Sequence, residues 1–293
     1  MMLESILNYK EQRLENFYPK TDLDVHGETF FSRKIKSIID YLSEHKIKKV
    51  VVGFSGGADS TLVLLLLVLA RRQYKFEIHA VTIVSPNPKE TSLEYSYAQS
   101  ILRSPLFINV IKQKINHSQG ENILDSFKEA GITLTDDVIH QSYYQSMYGI
   151  LFTYAQSVGG ITVGTTNSDE LSYVGWFGKN SDMVVDLQII SDFHKFEVLY
   201  ILNEFNFKNL SEPTGDIPGG KIDTEYFDCS YDELSYYSYC KCKNINPGFV
   251  LKSVDDLHNK NYHKYQGQTF NPIFLTNPTR YFIYNEEKNI NVI

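Results

Sequence analysis

Arginine is scarce in this sequence. Only six of the 293 residues are arginine (Arg13, Arg33, Arg71, Arg72, Arg103 and Arg280), and Asp plus Glu outnumber Lys plus Arg by 35 to 28. The net charge of −7 leaves no basic face for the chain as a whole, which argues against nucleic acid or an anionic membrane as partner. Cysteine is nearly absent: Cys229, Cys240 and Cys242 are an odd set with no even framework, which argues against a disulfide scaffold. The two-residue step from Cys240 to Cys242 is poor zinc spacing, and three free thiols in a reducing cytoplasm are the expectation. Long apolar runs are missing too. The longest, Leu62 to Ala70, is about half of the ~20 residues a membrane helix needs. Met1 to Glu15 mixes charged and apolar residues, unlike a signal peptide. Neither an internal repeat nor a low-complexity linker is present.

What remains is globular. Apolar residues make up 42% and aromatics 14%, enough core-formers for one large α/β domain or at most two small ones. Ile35, Ile38, Ile39 and Leu42 fall at i, i+3, i+4 and i+7, which predicts a helix over 31–45. Val50 to Phe54 reads as a buried strand, Leu62 to Ala70 as a helix without a polar face, and Ile78 to Val84 as a second strand. A helix over 91–102, a strand over 106–112, helices over 122–130 and 138–157, and a strand at 161–163 complete the pattern. Strand and helix alternating at this spacing predict an α/β fold, a doubly wound parallel sheet with helices on both faces. After residue 245 the pattern weakens. Residues 1–245 are therefore expected to form the domain, and 246–293 an irregular segment packed on it or on a second subunit.

Chemistry concentrates between the first strand and the next helix, in Ser55-Gly56-Gly57-Ala58-Asp59-Ser60. Two adjacent glycines let the backbone present successive N–H groups to an anion, and the helix that follows points its positive end at the same place. Ser55 and Ser60 add hydroxyls. Asp59 sets a carboxylate where phosphate would bind, an arrangement that suits a metal ligand. The bland alternative is a tight turn with Asp59 as a helix cap. Neither Gly-x-x-x-x-Gly-Lys-Ser/Thr nor Gly-x-Gly-x-x-Gly follows the strand, so a Walker-type ATPase and a simple dinucleotide dehydrogenase are not indicated.

The Ser-Gly-Gly-x-Asp-Ser run resembles the pyrophosphate loop of the N-type ATP pyrophosphatases. Further blocks resemble the NAD synthetases within that superfamily: Gly164-Thr165 with Glu170, Gly175-Trp176-Phe177-Gly178-Lys179-Asn180-Ser181-Asp182 with Asp186, His194-Lys195-Phe196-Glu197-Val198, Glu212-Pro213-Thr214-Gly215-Asp216, Ser230-Tyr231-Asp232-Glu233-Leu234 and His263-Lys264. They keep the family's order over residues 30–265. The resemblance implies an adenine nucleotide alpha hydrolase-like fold and an ammonia-dependent NAD synthetase. Such an enzyme adenylates the carboxylate of deamido-NAD with ATP, releases pyrophosphate, and amidates with ammonia to give NAD and AMP.

By the same resemblance Ser55, Gly56, Gly57, Asp59, Ser60, Thr165, Lys179 and Thr214 would contact ATP. Asp59 and Glu170 would hold Mg²⁺, and Asp59, Lys179 and Asp182 would serve catalysis. Asp186, Lys195, His263 and Lys264 would face the dinucleotide. A homodimer is implied, and ammonia would come from solution or another protein, since no glutaminase domain accompanies the chain. There are departures. Tyr144-Gln145-Ser146-Met147 stands where the family has Arg-x-Arg-Met, Gly178 stands for a threonine, Ser181 for a glycine, and Met183-Val184 for Gly-Gly. Asp223-Thr224-Glu225-Tyr226 alters an acidic cluster. Two other readings stay open: a pyrophosphatase for another acceptor such as a modified base or tRNA, and a nucleotide-binding homologue without turnover.

Overall fold

The structure is a computed structural model that describes residues 2–14, 29–84, 95–96, 98–117, 119–178, 180–207, 210, 223–265 and 273–275. Within it the chain runs α1 (Met2–Leu14), α2 (Phe30–Glu44), β1 (Lys49–Gly53), α3 (Ala58–Ala70), β2 (Glu77–Val84), β3 (Ile111–Asn116), α4 (Gln119–Glu129) and α5 (Asp136–Val158). Then come β4 (Ile161–Gly164), α6 (Ser168–Leu171), β5 (Leu187–Gln188), α7 (Lys195–Glu204), α8 (Asp223–Phe227), α9 (Tyr231–Cys242), α10 (Lys252–Tyr265) and β6 (Ile273–Phe274).

Six parallel strands lie in the order β3-β2-β1-β4-β5-β6. Val50, Val51 and Val52 are fully buried, as a central strand covered on both faces requires. On one face Leu62 to Leu67 of α3 pack with α2, α7 and the helical residues 98–102. On the other, Val51 and Val81 meet Leu151 and Ala155 of α5. Each such aliphatic side chain contributes about 1.5–3 kcal/mol on leaving water, so α3 is held by its surroundings rather than by an amphipathic stripe.

Strand order reverses between β1 and β4. Parallel sheets bind ligands at such a switch point, outside the carboxyl ends of the strands. Here the loops after β1 and β4 open side by side.

Two expectations shift. The strand expected at 106–112 lies at Ile111–Asn116. Ser104 caps a short 3₁₀ turn at Pro105–Phe107 instead, and Phe107 and Val110 spend their apolar surface on the core. The segment after 245 is helical over Lys252–Tyr265 rather than irregular. Of the helix expected over 91–102, residues 95–96 and 98–102 are helical, and 91–94 and 97 lie outside the described residues.

Candidate functional site

Gly56, at φ +87°, needs glycine twice over: its backbone is left-handed, and a Cβ there would lie 2.8 Å from the Ala98 Cα. Gly57 caps α3 with no side-chain hydrogen bond to the helix's first turn, which leaves N–H donors facing the mouth of the loop. The turn is closed from within. Gly57 N donates to Ser55 Oγ at 3.1 Å, Ser60 Oγ lies 3.3 Å from Ser55 Oγ, and the Ser60 and Thr61 hydroxyls donate to Gly57 O at 3.1 and 2.8 Å.

The facing loop begins at Thr165, half-buried at the end of β4, and is organised by Asn167. Asn167 Oδ1 accepts from Asp169 N and Glu170 N at 2.9 and 3.1 Å, while Glu170 Oε2 accepts from Asn167 N at 3.2 Å, a capping box on α6. The Asn167 amide then donates to Asp59 Oδ1 at 3.3 Å. One residue thus touches both carboxylates expected at a metal. Among the described residues no three His, Cys, Asp or Glu side chains gather as a metal cage. A pair of carboxylates with hard oxygen donors instead fits Mg²⁺, which keeps waters and takes its remaining ligands from phosphate.

Lys195, the first residue of α7, is 7% exposed and its ammonium pairs with Asp59 Oδ2. The resemblance implied a place against the dinucleotide; the structure puts Lys195 at the phosphate loop. Asp169 fixes it there. Asp169 Oδ2 accepts from Lys195 N and Ser235 Oγ, both at 2.8 Å, and Oδ1 meets His194 Nδ1 at 2.6 Å. Behind it Tyr9 OH lies 2.7 Å from His194 Nε2. Burial first, and then Glu197 and Asp169 against the opposing Arg13, hold the Tyr9 hydroxyl far above its ordinary value. The phenol therefore stays protonated, and the His194 ring bridges it to Asp169. Arg13 adds a two-pronged contact to Glu197 at 2.8 and 2.9 Å. Helix α1 thereby braces the start of α7.

A third strand of the site surrounds Asp182. Its Oδ1 accepts from Tyr148 OH at 2.8 Å, and its Oδ2 from Gly178 N at 2.9 Å and Ser181 Oγ at 3.1 Å. Burial, then the Asp182 charge, push the Tyr148 hydroxyl well above its usual range, so it remains a donor. Gln188 Nε2 donates to Thr166 Oγ1 at 3.2 Å and Asp182 O at 2.9 Å, which ties the two loops together. Gln188 lies where a Cβ on Gly164 would be.

Helix α10 grips the chain just ahead of this loop. His258 Nδ1 meets Tyr173 O at 2.6 Å, Asn261 Nδ2 donates to Val174 O at 3.1 Å, and Lys264 Nζ donates to Gly175 O and Phe177 O at 3.2 and 2.7 Å. Residues three apart share one helical face, so a single stripe holds four carbonyls across residues 173–177. Lys264, implied at the dinucleotide, spends its ammonium on these carbonyls. Asp186 is likewise elsewhere engaged: exposed, it accepts from Thr162 N and Thr162 Oγ1, both at 2.7 Å, and fixes β4 against β5. Lys179, Thr214 and the side chain of His263 lie outside the described residues.

Sequence reading missed Asn167, Asp169, Tyr148, Ser181 and Gln188 as parts of the site. Only Asn167 carried a local signal, an Asn followed three residues later by Glu. The cysteines supply no thiolate: burial, helped by Glu233 and Asp169, pushes Cys229 up to about 12, and burial raises Cys242 to about 12.

The family model for NAD synthase matches residues 30–266 of this chain. The chain is 26% identical over 233 residues to the NH(3)-dependent NAD(+) synthetase of Mycoplasma genitalium, covering 78% of this chain and 89% of the relative. It is 28% identical over 204 residues to the enzyme of the same name from Picrophilus torridus, covering 68% and 77%. Among solved structures, an NMN synthetase from Francisella tularensis superposes with a TM-score of 0.68 at 19% identity, covering 83% of this chain and 96% of the other. An NH3-dependent NAD synthetase from Campylobacter jejuni does so at 0.60 and 18% identity, covering 82% and 96%. At these identities the superpositions speak for the fold. Among the described residues no helix is long and apolar enough to cross a membrane.

Proposed function

The chain belongs to the NAD synthase family, and from that premise we propose that it is an AMP-forming ligase that makes NAD from deamido-NAD, ATP and ammonia. The observation that carries this reading is Asp59, set in a phosphate-type loop at the sheet's switch point and joined through Asn167 to Glu170.

In this reading the N–H groups at the start of α3, with Ser55 and Ser60, receive the pyrophosphate end of ATP. Lys195 supplies a point charge beside Asp59, and Lys179 and Thr214 complete the nucleotide contacts, with Thr165 at the end of β4. Asp59 and Glu170 would hold Mg²⁺, which supplies neutralising charge as pyrophosphate develops. The nicotinate carboxylate oxygen attacks the α-phosphorus and the bond to the β-phosphate oxygen breaks. Ammonia then attacks the acyl carbon, AMP leaves on its phosphate oxygen, and the nitrogen loses one proton. Asp182, aligned by Tyr148 and Gly178, orients the ammonia or the acceptor and offers that proton an oxygen. Ammonia itself is the nitrogen donor in this reading, as the names of the NH(3)-dependent relatives suggest. The reading includes residues 1–245 as the catalytic domain, a cytoplasmic setting, and a homodimer. Phe127, Ile132 and Val138 are exposed apolar residues that a second copy could cover.

The test isolates the first half-reaction. With ammonia withheld, labelled pyrophosphate should enter ATP when deamido-NAD is present and not when NAD replaces it, because an amide offers no carboxylate to adenylate. Nicotinate mononucleotide, the carboxylate counterpart of NMN, is the comparison acceptor. Exchange with it alone moves the reaction to a smaller nucleotide, and exchange with neither in a folded, ATP-binding protein overturns the reading.

A further inference from the structure

Gly178 and Ser181 are two of the positions at which this sequence leaves the pattern it resembles, a threonine exchanged for glycine and a glycine for serine. In the structure they occupy one place. A Cβ built on Gly178 would overlap the Ser181 hydroxyl oxygen. Gly178 is not among the residues with positive φ, so nothing in its backbone demands glycine; only the space does. That space is filled by a side chain that is 2% exposed and whose Oγ lies 3.1 Å from Asp182 Oδ2. The same carboxylate oxygen accepts from Gly178 N, and the other from Tyr148 OH.

We propose that Ser181 is a positioning residue for Asp182, and that Gly178 is glycine in order to admit its hydroxyl. The two departures are then one coupled exchange, in which the hydroxyl beside Asp182 is delivered from position 181 instead of 178. A side chain at 178 would turn the serine oxygen away from the carboxylate, because that oxygen is the movable end of the clash. Asp182 would keep two donors and lose the third, and its orientation would loosen. The assignment of Asp182 to the amidation step rests on the function proposed above; the steric coupling does not.

The experiment is a set of four variants of the full chain: Ser181→Ala, Gly178→Ala, Gly178→Ala/Ser181→Ala and Gly178→Thr/Ser181→Gly. Two quantities are read on each, the thermal midpoint and the steady-state constants for ATP, ammonium and acceptor. Gly178→Ala should lower the midpoint and the added Ser181→Ala should restore it, since removing the hydroxyl removes the clash. For turnover, Ser181→Ala, Gly178→Ala and their double should each lose about tenfold or more in kcat with KM for ATP unchanged. The losses should not add, because each variant removes the same contact. Gly178→Thr/Ser181→Gly should return kcat to within about threefold of the parent. Additive midpoint losses overturn the steric coupling whatever the reaction is. A Ser181→Ala enzyme with parental kcat, or a folded Gly178→Thr/Ser181→Gly enzyme no better than Ser181→Ala, overturns the positioning role. If the parent makes no NAD while the midpoints still couple, it is the functional reading that fails and the packing inference that stands.

Discussion

Asp59 answers to two neighbours at once, accepting from the Asn167 amide and pairing with the buried Lys195 ammonium. Replacing it with asparagine removes a hard oxygen charge from the phosphate loop and leaves Lys195 without its counter-charge. Glu170 differs: as glutamine it keeps an oxygen for Asn167 N, so the capping box survives. Both Asp59→Asn and Glu170→Gln should therefore cost at least about 100-fold in kcat at fixed Mg²⁺, the scale of a lost electrostatic contact in a dry site. Only Asp59→Asn should also lower stability, by about 1–3 kcal/mol, since the pair is largely but not wholly removed from water. Steady-state kinetics across a Mg²⁺ titration, with urea unfolding of each variant, checks both halves. A Glu170→Gln enzyme with the parent's rate and Mg²⁺ dependence would remove Glu170 from the metal.

At the scale of elements, periodicity located most helices and strands, because α2 and β1 carry their burial pattern in their own residues. The strand at Ile111–Asn116 escaped: its residues are mostly exposed, and the apolar signal came from the turn before it. Helix α10 escaped for a related reason. Its inward apolar residues stop at Val254 and Leu257, and the inward residues after them, His258, Asn261 and Lys264, are polar because they bind carbonyls, so the apolar stripe is too short to announce the helix. In its first turn the helix carries its own anchor, Asp255, which accepts from Tyr173 OH and Tyr237 OH at 2.8 Å and from Lys241. Burial works to raise the Asp255 carboxyl, but hydrogen bonds from Tyr237, Tyr173 and Lys241 win and hold it below its ordinary 3.8. A lowered carboxyl stabilises the fold at every pH above its unfolded value and loses that contribution as pH falls through the folded one. Asp255→Asn should accordingly cost about 1–2 kcal/mol in urea unfolding at pH 7, with solvent screening keeping it modest, and the gap to the parent should close only below about pH 4. A gap unchanged at pH 3 would show that packing, not the charge, is what the substitution removed.

Across the whole molecule, the edge of the sheet is closed by a buried ion pair. Lys34 on α2 and Asp192 between β5 and α7 approach to 2.7 Å with both side chains about 1% exposed, and the same ammonium reaches Leu275 O beside β6. Removing one partner leaves the other charge buried without its salt-bridge partner. Lys34→Met should lower unfolding stability by about 3–5 kcal/mol, and Lys34→Met/Asp192→Asn should recover a large part of it. Matched urea curves of parent, single and double variants measure this, and a harmless Lys34→Met would show that water reaches the pair.

The sequence by itself determined the α/β alternation and the position of the phosphate loop. Ser55 to Ser60 must sit between a β-branched run and an apolar helix, and glycine spacing is a property of neighbouring residues. It also determined that the family blocks follow in order. Which side chains meet was decided only in three dimensions. Lys195 and Asp59 lie 136 residues apart, His194 and Tyr9 185, and no local pattern records either partner. Lys195 and Lys264 have the same charge and similar reach, yet one ends on a carboxylate of the site and the other on backbone carbonyls. The difference is where α7 and α10 dock against the sheet, and docking is set by apolar packing that does not specify which charge it brings to which oxygen.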